Sequence, residues 1–327
     1  MPSKLPILRV PQVVLNEIIN QVELGDLIAL SLCSNNMFLL IQFHRTNMRE
    51  LDLYVSCESK DYKICCLGKT DERMTGTPIL SVSNVEELYS ETTLTVKIIN
   101  QSIPIFVDRE GERLRTFCLD QVFGIQEMTG YVAKLLKKTI EVVVLNENTV
   151  IHSKESLNNE QYEHVLEKCV ANVVLLFASP PRSFEYTKEI TEREYLFVNY
   201  GFWITLEHLL NTNVSNLDIK QAKLTAADLN AFLKHWMSGG SPQLKFLRVN
   251  INDDPARTYD DLKENMVLIP KPRKFTFHML YGKTTTFHEG IEIRQENGQR
   301  ATIGHSRALK LFVMAVGDDF IETTIRE

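Results

Sequence analysis

Gly68-Lys69-Thr70 and Gly282-Lys283-Thr284 each reproduce the end of a phosphate-cradling loop. Such a loop needs another glycine five positions before its second one, because only a backbone free of Cβ atoms wraps closely around phosphate oxygens. Lys63 and Phe277 stand there instead. Neither tripeptide predicts a nucleotide site. Cys57, Cys65 and Cys66 offer three thiolates, with His44 as the candidate fourth ligand. A structural zinc site takes four ligands at regular spacing, and no Cys-x-x-Cys pair occurs. These cysteines are expected as buried thiols on strands. The sequence contains no His-Glu-x-x-His helix motif and no Gly-x-Ser-x-Gly elbow. Asp108, Glu110 and Glu112 fall in a turn, where solvated charge is the expected state. His235 is expected on a helix surface, and Trp203 is expected in a core more readily than at an interface. No catalytic group, metal or cofactor is expected, and the chain does not read as an enzyme.

Composition narrows the partners. The net charge is −6, so the basic footprint of a nucleic-acid binder is missing, as is a polybasic membrane patch. No run of 18 apolar residues occurs, which argues against a membrane helix. The first residues do not resemble a signal peptide, and the six cysteines form no disulfide framework. The expected location is the cytoplasm, the nucleus or both.

The positioning elements begin with an unusually apolar stretch. Between residues 5 and 43, 23 of 39 residues are apolar, against 44% overall. Pro11 suits the start of a helix. Val14, Ile18 and Val22 recur every four residues, with Leu15 and Ile19 on the same face. Gly25-Asp26 predicts a break, with Asp26 capping a second helix through Leu27, Ile28 and Leu30. A third helix is expected from Met37 to near Arg45. Three helices this short leave apolar surface that the rest of the chain or a partner must cover.

Residues 50–138 read as a strand-rich region. Alternation predicts strands at 51–55, 93–98 and 103–107, then a helix over 126–138. From 139 onward three aliphatic positions recur with leucine-rich-repeat spacing. They are Ile140/Val143/Leu145, Val170/Val173/Leu175, Val214/Leu217/Ile219 and Leu244/Leu247/Val249, with Asn148 and Asn252 at the asparagine position. Thr225 and Asp228 form a capping box before the stripe Leu229, Phe232, Leu233 and Trp236. Gly239-Gly240-Ser241-Pro242 ends that helix, giving one strand–helix–strand layer. Asn297-Gly298 between alternating runs predicts a hairpin, and 309–316 a last strand. The fold class expected is α+β or α/β. Its parts are a three-helix domain at 5–45, a mixed region at 50–138 and a leucine-rich-repeat-like domain with a terminal hairpin at 139–327.

The order Val10-Pro11, VVLNEIINQV (13–22) and LGDLIALSLCSNNM (24–37) resembles an F-box. Residues 216–251 and the motif GIEIRQENGQRATI (290–303) resemble the F-box-associated domain of the second type, from a family expanded in nematodes. Val10 replaces the family's leucine, Gly25 a common proline, and Asn35-Asn36-Met37 two basic residues and an aromatic. The resemblance implies a substrate adaptor of a Skp-cullin-F-box ubiquitin ligase. It implies that Pro11, Val14, Leu15, Ile18, Ile19, Val22, Leu27, Ile28 and Leu30 meet the Skp-family adaptor, itself carried by a cullin, while residues 139–327 bind an unknown target protein. The alternative is a free-standing interaction module whose helices serve only as a cap. Exposure of Leu15, Ile18 and Ile19 favours the first reading; their burial against residues 50–150 favours the second.

Overall fold

Three ten-residue helices come first: α1 (Gln12–Gln21), α2 (Leu24–Cys33) and α3 (Asn35–His44). The computed structural model describes residues 10–44, 51–57, 62–68, 77–87, 94–98, 101–108, 113–119, 121–145, 158–169, 171–250, 262, 264–266, 268–271, 274–278, 284–287, 290–306, 310–317 and 321–324. The chain divides into two compact units, Met1–Val144 and Leu145–Glu327. Pro11 is the N-cap of α1, and its carbonyl accepts from the Leu15 N–H at 3.0 Å. The break before α2 lies at Val22-Glu23, not at Gly25-Asp26 as the sequence suggests. Glu23 is the N-cap, and its carbonyl accepts from Leu27 N–H at 3.0 Å. Gly25 and Asp26 sit inside the first turn. Backbone N–H groups there lack helical partners in any case, so a glycine does not end the helix, and Asp26 favours the positive end of the dipole.

In the first unit the strands are β1 (Leu51–Cys57), β2 (Tyr62–Gly68), β3 (Thr77–Asn84), β4 (Leu94–Ile98), β5 (Gln101–Asp108), β6 (Arg113–Cys118) and, after helix α4 (Gln121–Leu136), β7 (Ile140–Leu145). Their order across the sheet is β7-β1-β2-β3-β6-β5-β4. All the pairings from β1 to β4 are antiparallel except β3 with β6, which is parallel. Helix α2 packs on α3, α4, β3, β4 and β6, whereas α1 packs chiefly on α3. One hydrophobic core runs from Leu15, Ile19, Leu27, Ile28 and Ile41 in the helices to Leu53, Leu80, Leu114 and Val132. β1, β4 and β5 answer the alternation in the sequence. Cys65 and Cys66 are, as expected, buried on a strand, β2, but alternation does not delimit β2, β3 or β6; residues 79–83 of β3 are all buried, so that strand shows no alternation. Helix α4 begins five residues before the expected position, and Lys137 follows it with φ +52°.

The second unit opens with α5 (Asn159–Lys168), β8 (Val173–Leu176), β9 (Arg193–Val198), α6 (Leu206–Leu210), β10 (Val214–Ile219), α7 (Ala226–Met237) and β11 (Phe246–Asn250). β8, β9, β10 and β11 are neighbours in that order and all parallel. Then come β12 (Ile269–Lys271), β13 (Lys274–His278), β14 (Thr284–Phe287), β15 (Gly290–Arg294), β16 (Arg300–Ser306), β17 (Leu311–Val316) and β18 (Ile321–Thr324). The sheet continues from β11 through antiparallel β17, β16, β15 and β12. β14, β13 and β18 form a separate three-stranded sheet, whose Phe275, Phe277 and Phe287 join Phe246 and Val313 in a core.

Three of the four aliphatic triplets fall on β8, β10 and β11 or next to them, and their described members are buried. Asn148, Val170 and Asn252 lie outside the described residues. β9 carries no triplet, yet it is the strand that joins β8 to β10. The α7 capping box is present: Thr225 N–H and Oγ1 both donate to Asp228 Oδ2 at 2.8 Å, and Asp228 N–H donates to Thr225 Oγ1 at 3.2 Å. Gly239, with φ +95°, ends the helix in the left-handed conformation that glycine tolerates. The expected hairpin is β15–β16, with Ile291 opposite Ile303. The last strand is β18 rather than the one ending at Val316, and it pairs with β13.

Candidate docking surface

Helix α1 has a wider apolar face than its neighbours cover. At 100° per residue, Val14, Ile18, Pro11, Val22, Leu15 and Ile19 follow one another around one broad arc. Leu15 and Ile19, at one edge, are buried. Ile18 and Val22 are half-buried, and Pro11 is exposed. Val14, at the other edge, is 45% exposed. The split follows from packing on α3, which shields one edge of the arc. In α2, Leu27 and Ile28 are wholly buried while Leu30 faces solvent. The nine residues expected to dock a partner thus divide. Leu15, Ile19, Leu27 and Ile28 belong to the core; Pro11, Val14 and Leu30 are exposed; Ile18 and Val22 lie between.

Two further residues join the exposed set. Leu39 and Phe43 of α3, one turn apart, are 54% and 70% exposed. Among the described residues seven large apolar side chains are exposed, and Val13, Val14, Leu30, Leu39 and Phe43 all lie on these three helices. Exposed apolar side chains are ordinary when scattered, but clustering in one small segment marks an interaction site. The spacing of Leu39 and Phe43 at i, i+4 was the available signal in the sequence. Behind the surface, Tyr131 Oη of α4 donates to Ser31 Oγ at 2.9 Å, and Ser31 Oγ donates to the Ile28 carbonyl at 2.6 Å. Ser31, Phe38 and Tyr131 also line a cleft of about 420 Å³ between α2, α3 and α4.

The residues singled out for chemistry take ordinary places. None of the six cysteines is in a disulfide; Cys65 and Cys66 are buried, Cys57 half-buried. Among the described residues no cluster of three metal-ligating side chains occurs. Gly68 ends β2, while Lys69, Thr70, Gly282 and Lys283 lie outside the described residues, as do Glu110 and Glu112. Trp203 is in the core. His235 is half-buried rather than at the surface, and it lies so close over Gly240 that a Cβ there would be 2.0 Å from Nε2. No described helix is long and apolar enough to cross a membrane.

Two family descriptions match this chain: the F-box domain over residues 7–46 and an F-box associated domain over 187–249. An uncharacterized protein of Caenorhabditis elegans is 23% identical over 92% of this chain and 74% of its own length. The Skn-1 dependent zygotic transcript 15 protein of the same organism is 23% identical over 54% of this chain and 51% of its own. Its E3 ubiquitin-protein ligase hecw-1 is 35% identical over 68 residues, which is 21% of this chain and 5% of that ligase. No solved structure matches. The first match spans the three helices and the second spans β9, α6, β10, α7 and most of β11, so the chain carries an F-box match followed by a match to an F-box-associated domain.

Proposed function

We propose that this protein is the substrate-recognition adaptor of a Skp-cullin-F-box ubiquitin ligase. The F-box binds the Skp-family adaptor, the cullin carries that pair, and residues 145–327 hold a target protein. No residue of this chain reacts. Holding the target beside the ubiquitin-loaded subunits raises its effective concentration, which is the whole contribution. Such a subunit works in the cytoplasm or nucleus. The observation that carries the reading is the cluster of exposed apolar side chains on α1–α3. Pro11, Val14, Ile18, Val22 and Leu30 make direct contact, together with Leu39 and Phe43. Leu15, Ile19, Leu27 and Ile28 act from beneath by fixing the helices that present them.

The test is capture of the chain on a purified Skp-family adaptor, comparing the native protein with Val14→Asp/Phe43→Asp. Both positions are solvent-facing, so circular dichroism should be unchanged. Loss of capture by the folded variant is the expected result; failure of the native chain to bind contradicts the reading. A second reading, a free-standing interaction module, draws on the burial of Leu15 and Ile19, two of the three residues whose exposure separates the readings, and of Leu27 and Ile28, all in the same core as the strands. It predicts no adaptor binding by either protein.

A further inference from the structure

This inference deepens the docking reading of the three helices and rests on it. Helix α4 packs on α2 and α3 within the first unit, and the three bound the cleft of about 420 Å³. Its walls are tied together. Tyr131 Oη of α4 donates to Ser31 Oγ of α2, and Gln42 Nε2 of α3 donates to the Lys134 carbonyl of α4 at 2.7 Å. The Phe38 and Tyr131 rings meet at 5.3 Å between centres, tilted by 57°. Two features of α4 find no use in the chain's own packing. Gly130 is the tenth residue of a sixteen-residue helix, where glycine costs about 0.5–1 kcal/mol against alanine. Beyond the helix's own backbone, no atom lies within 4 Å of the place its Cβ would take, so no close approach in the folded chain calls for glycine. Glu127, one turn earlier, also lines the cleft. Its Oε2 is withdrawn from water and has no hydrogen-bond partner, and a carboxylate oxygen in that state stays costly until a donor reaches it.

The other charged side chain lining the cleft is Lys134, which is exposed. It stands seven residues beyond Glu127, about 10.5 Å along the helix axis, with Tyr131 between them. The cleft therefore has an acidic end, an aromatic middle and a basic end. An arginine side chain suits the first two. Its planar fork donates to the Glu127 carboxylate, its face lies on the Tyr131 ring and its stem passes over Gly130, where a side chain would stand in the way. A neutral side chain leaves the carboxylate unpaired. The position of the cleft selects the occupant. On α3, Phe38 lines it and Gln42 ties one of its walls, and the residues next to these, Leu39 and Phe43, are the exposed pair assigned to the adaptor. The cleft thus opens beside the apolar docking cluster. We propose that it is an arginine pocket of the docking surface and that it takes one arginine side chain of the Skp-family adaptor, held between Glu127 and Tyr131.

The test has two arms, both on the full chain. In the first, N-acetyl-arginine amide is titrated and the nuclear magnetic resonance shift of the Tyr131 amide is followed, with N-acetyl-citrulline amide as the control that keeps arginine's shape without its charge. The arginine compound should shift the signal saturably, and citrulline should bind about tenfold or more weakly. Glu127→Gln should lose that discrimination. Gly130→Leu, which fills the cleft with a better helix former, should melt no lower than the native chain and lose the response. Lys134→Met is titrated as well, to remove competition for Glu127 from within the chain. Absence of a saturable shift in both native and Lys134→Met proteins overturns the proposal, as does an equal response to citrulline or an unchanged response of Gly130→Leu. In the second arm, Glu127→Gln and Gly130→Leu should each bind the purified adaptor about tenfold or more weakly than the native chain; unchanged binding by both overturns the proposal. A native chain that answers arginine but does not capture the adaptor contradicts the docking reading and the occupant with it. One that captures the adaptor but does not answer arginine contradicts the pocket alone.

Discussion

His208 and Arg193 show what single side chains contribute inside the second unit. His208 Nδ1 accepts from the Thr205 backbone N–H at 3.1 Å, closing the capping box of α6. Burial holds its pKa below the ordinary 6.5, although Glu207 and the carbonyls of Lys188 and Tyr186 pull it upward. The folded protein therefore keeps the imidazole neutral, while the unfolded chain takes up a proton below about pH 6.5. The stability this group contributes is complete above that pH and is lost as pH falls toward the folded pKa, at up to about 1.4 kcal/mol per unit. Urea unfolding of the native chain and His208→Gln across this range should show the difference between them shrinking on the acid side; a constant difference would contradict it. Arg193 is buried, and its guanidinium donates to the Leu166 carbonyl at 3.0 Å and the Thr191 carbonyl at 3.2 Å, joining the end of α5 to the start of β9. Arg193→Met removes both bonds, leaving the Leu166 carbonyl only the Thr191 hydroxyl, which donates to it at 2.9 Å, and should cost about 1–3 kcal/mol in urea unfolding. Arg193→Lys should recover little of this, because a single ammonium lacks the planar fork.

At the scale of elements, local signals identified some helices and missed strands whose pattern depends on their neighbours. The α7 capping box was legible because Thr225 and Asp228 act within one turn. Thr225→Ala should cost about 1–2 kcal/mol by chemical denaturation, since it removes two side-chain hydrogen bonds from the helix start. The bounds of β2, and β3 altogether, were not legible: Cys65-Cys66 and the continuously buried run 79–83 are covered on both faces, which erases alternation. β9 was missed for a different reason. Its Arg193 occupies a position where a repeat strand would carry an aliphatic residue. For α1, periodicity gave the apolar arc, but which edge faces solvent is decided by α3, a contact that one helix's sequence does not encode. Val14→Asp should therefore change stability by less than about 0.5 kcal/mol, whereas Leu15→Asp should unfold the helical domain; thermal melts of the two variants separate these outcomes.

For the whole molecule, a chain of net charge −6 presents exposed apolar side chains on the three helices of its first unit. The burial of α2 against the strands makes these helices part of the first unit's core, so a partner of the proposed kind would meet them already ordered. Pre-ordering of this kind lowers the entropy lost on association. The central claim is that the exposed edge of α1–α3 is what a Skp-family adaptor grips. Isothermal titration of the purified adaptor into the native chain and into Val14→Asp/Phe43→Asp tests it most directly. The account predicts saturable one-to-one binding by the native chain and at least about a hundredfold loss for the variant, equivalent to about 2.7 kcal/mol. Equal affinity of both proteins, or no heat of binding from the native chain together with its failure to be captured, would contradict it.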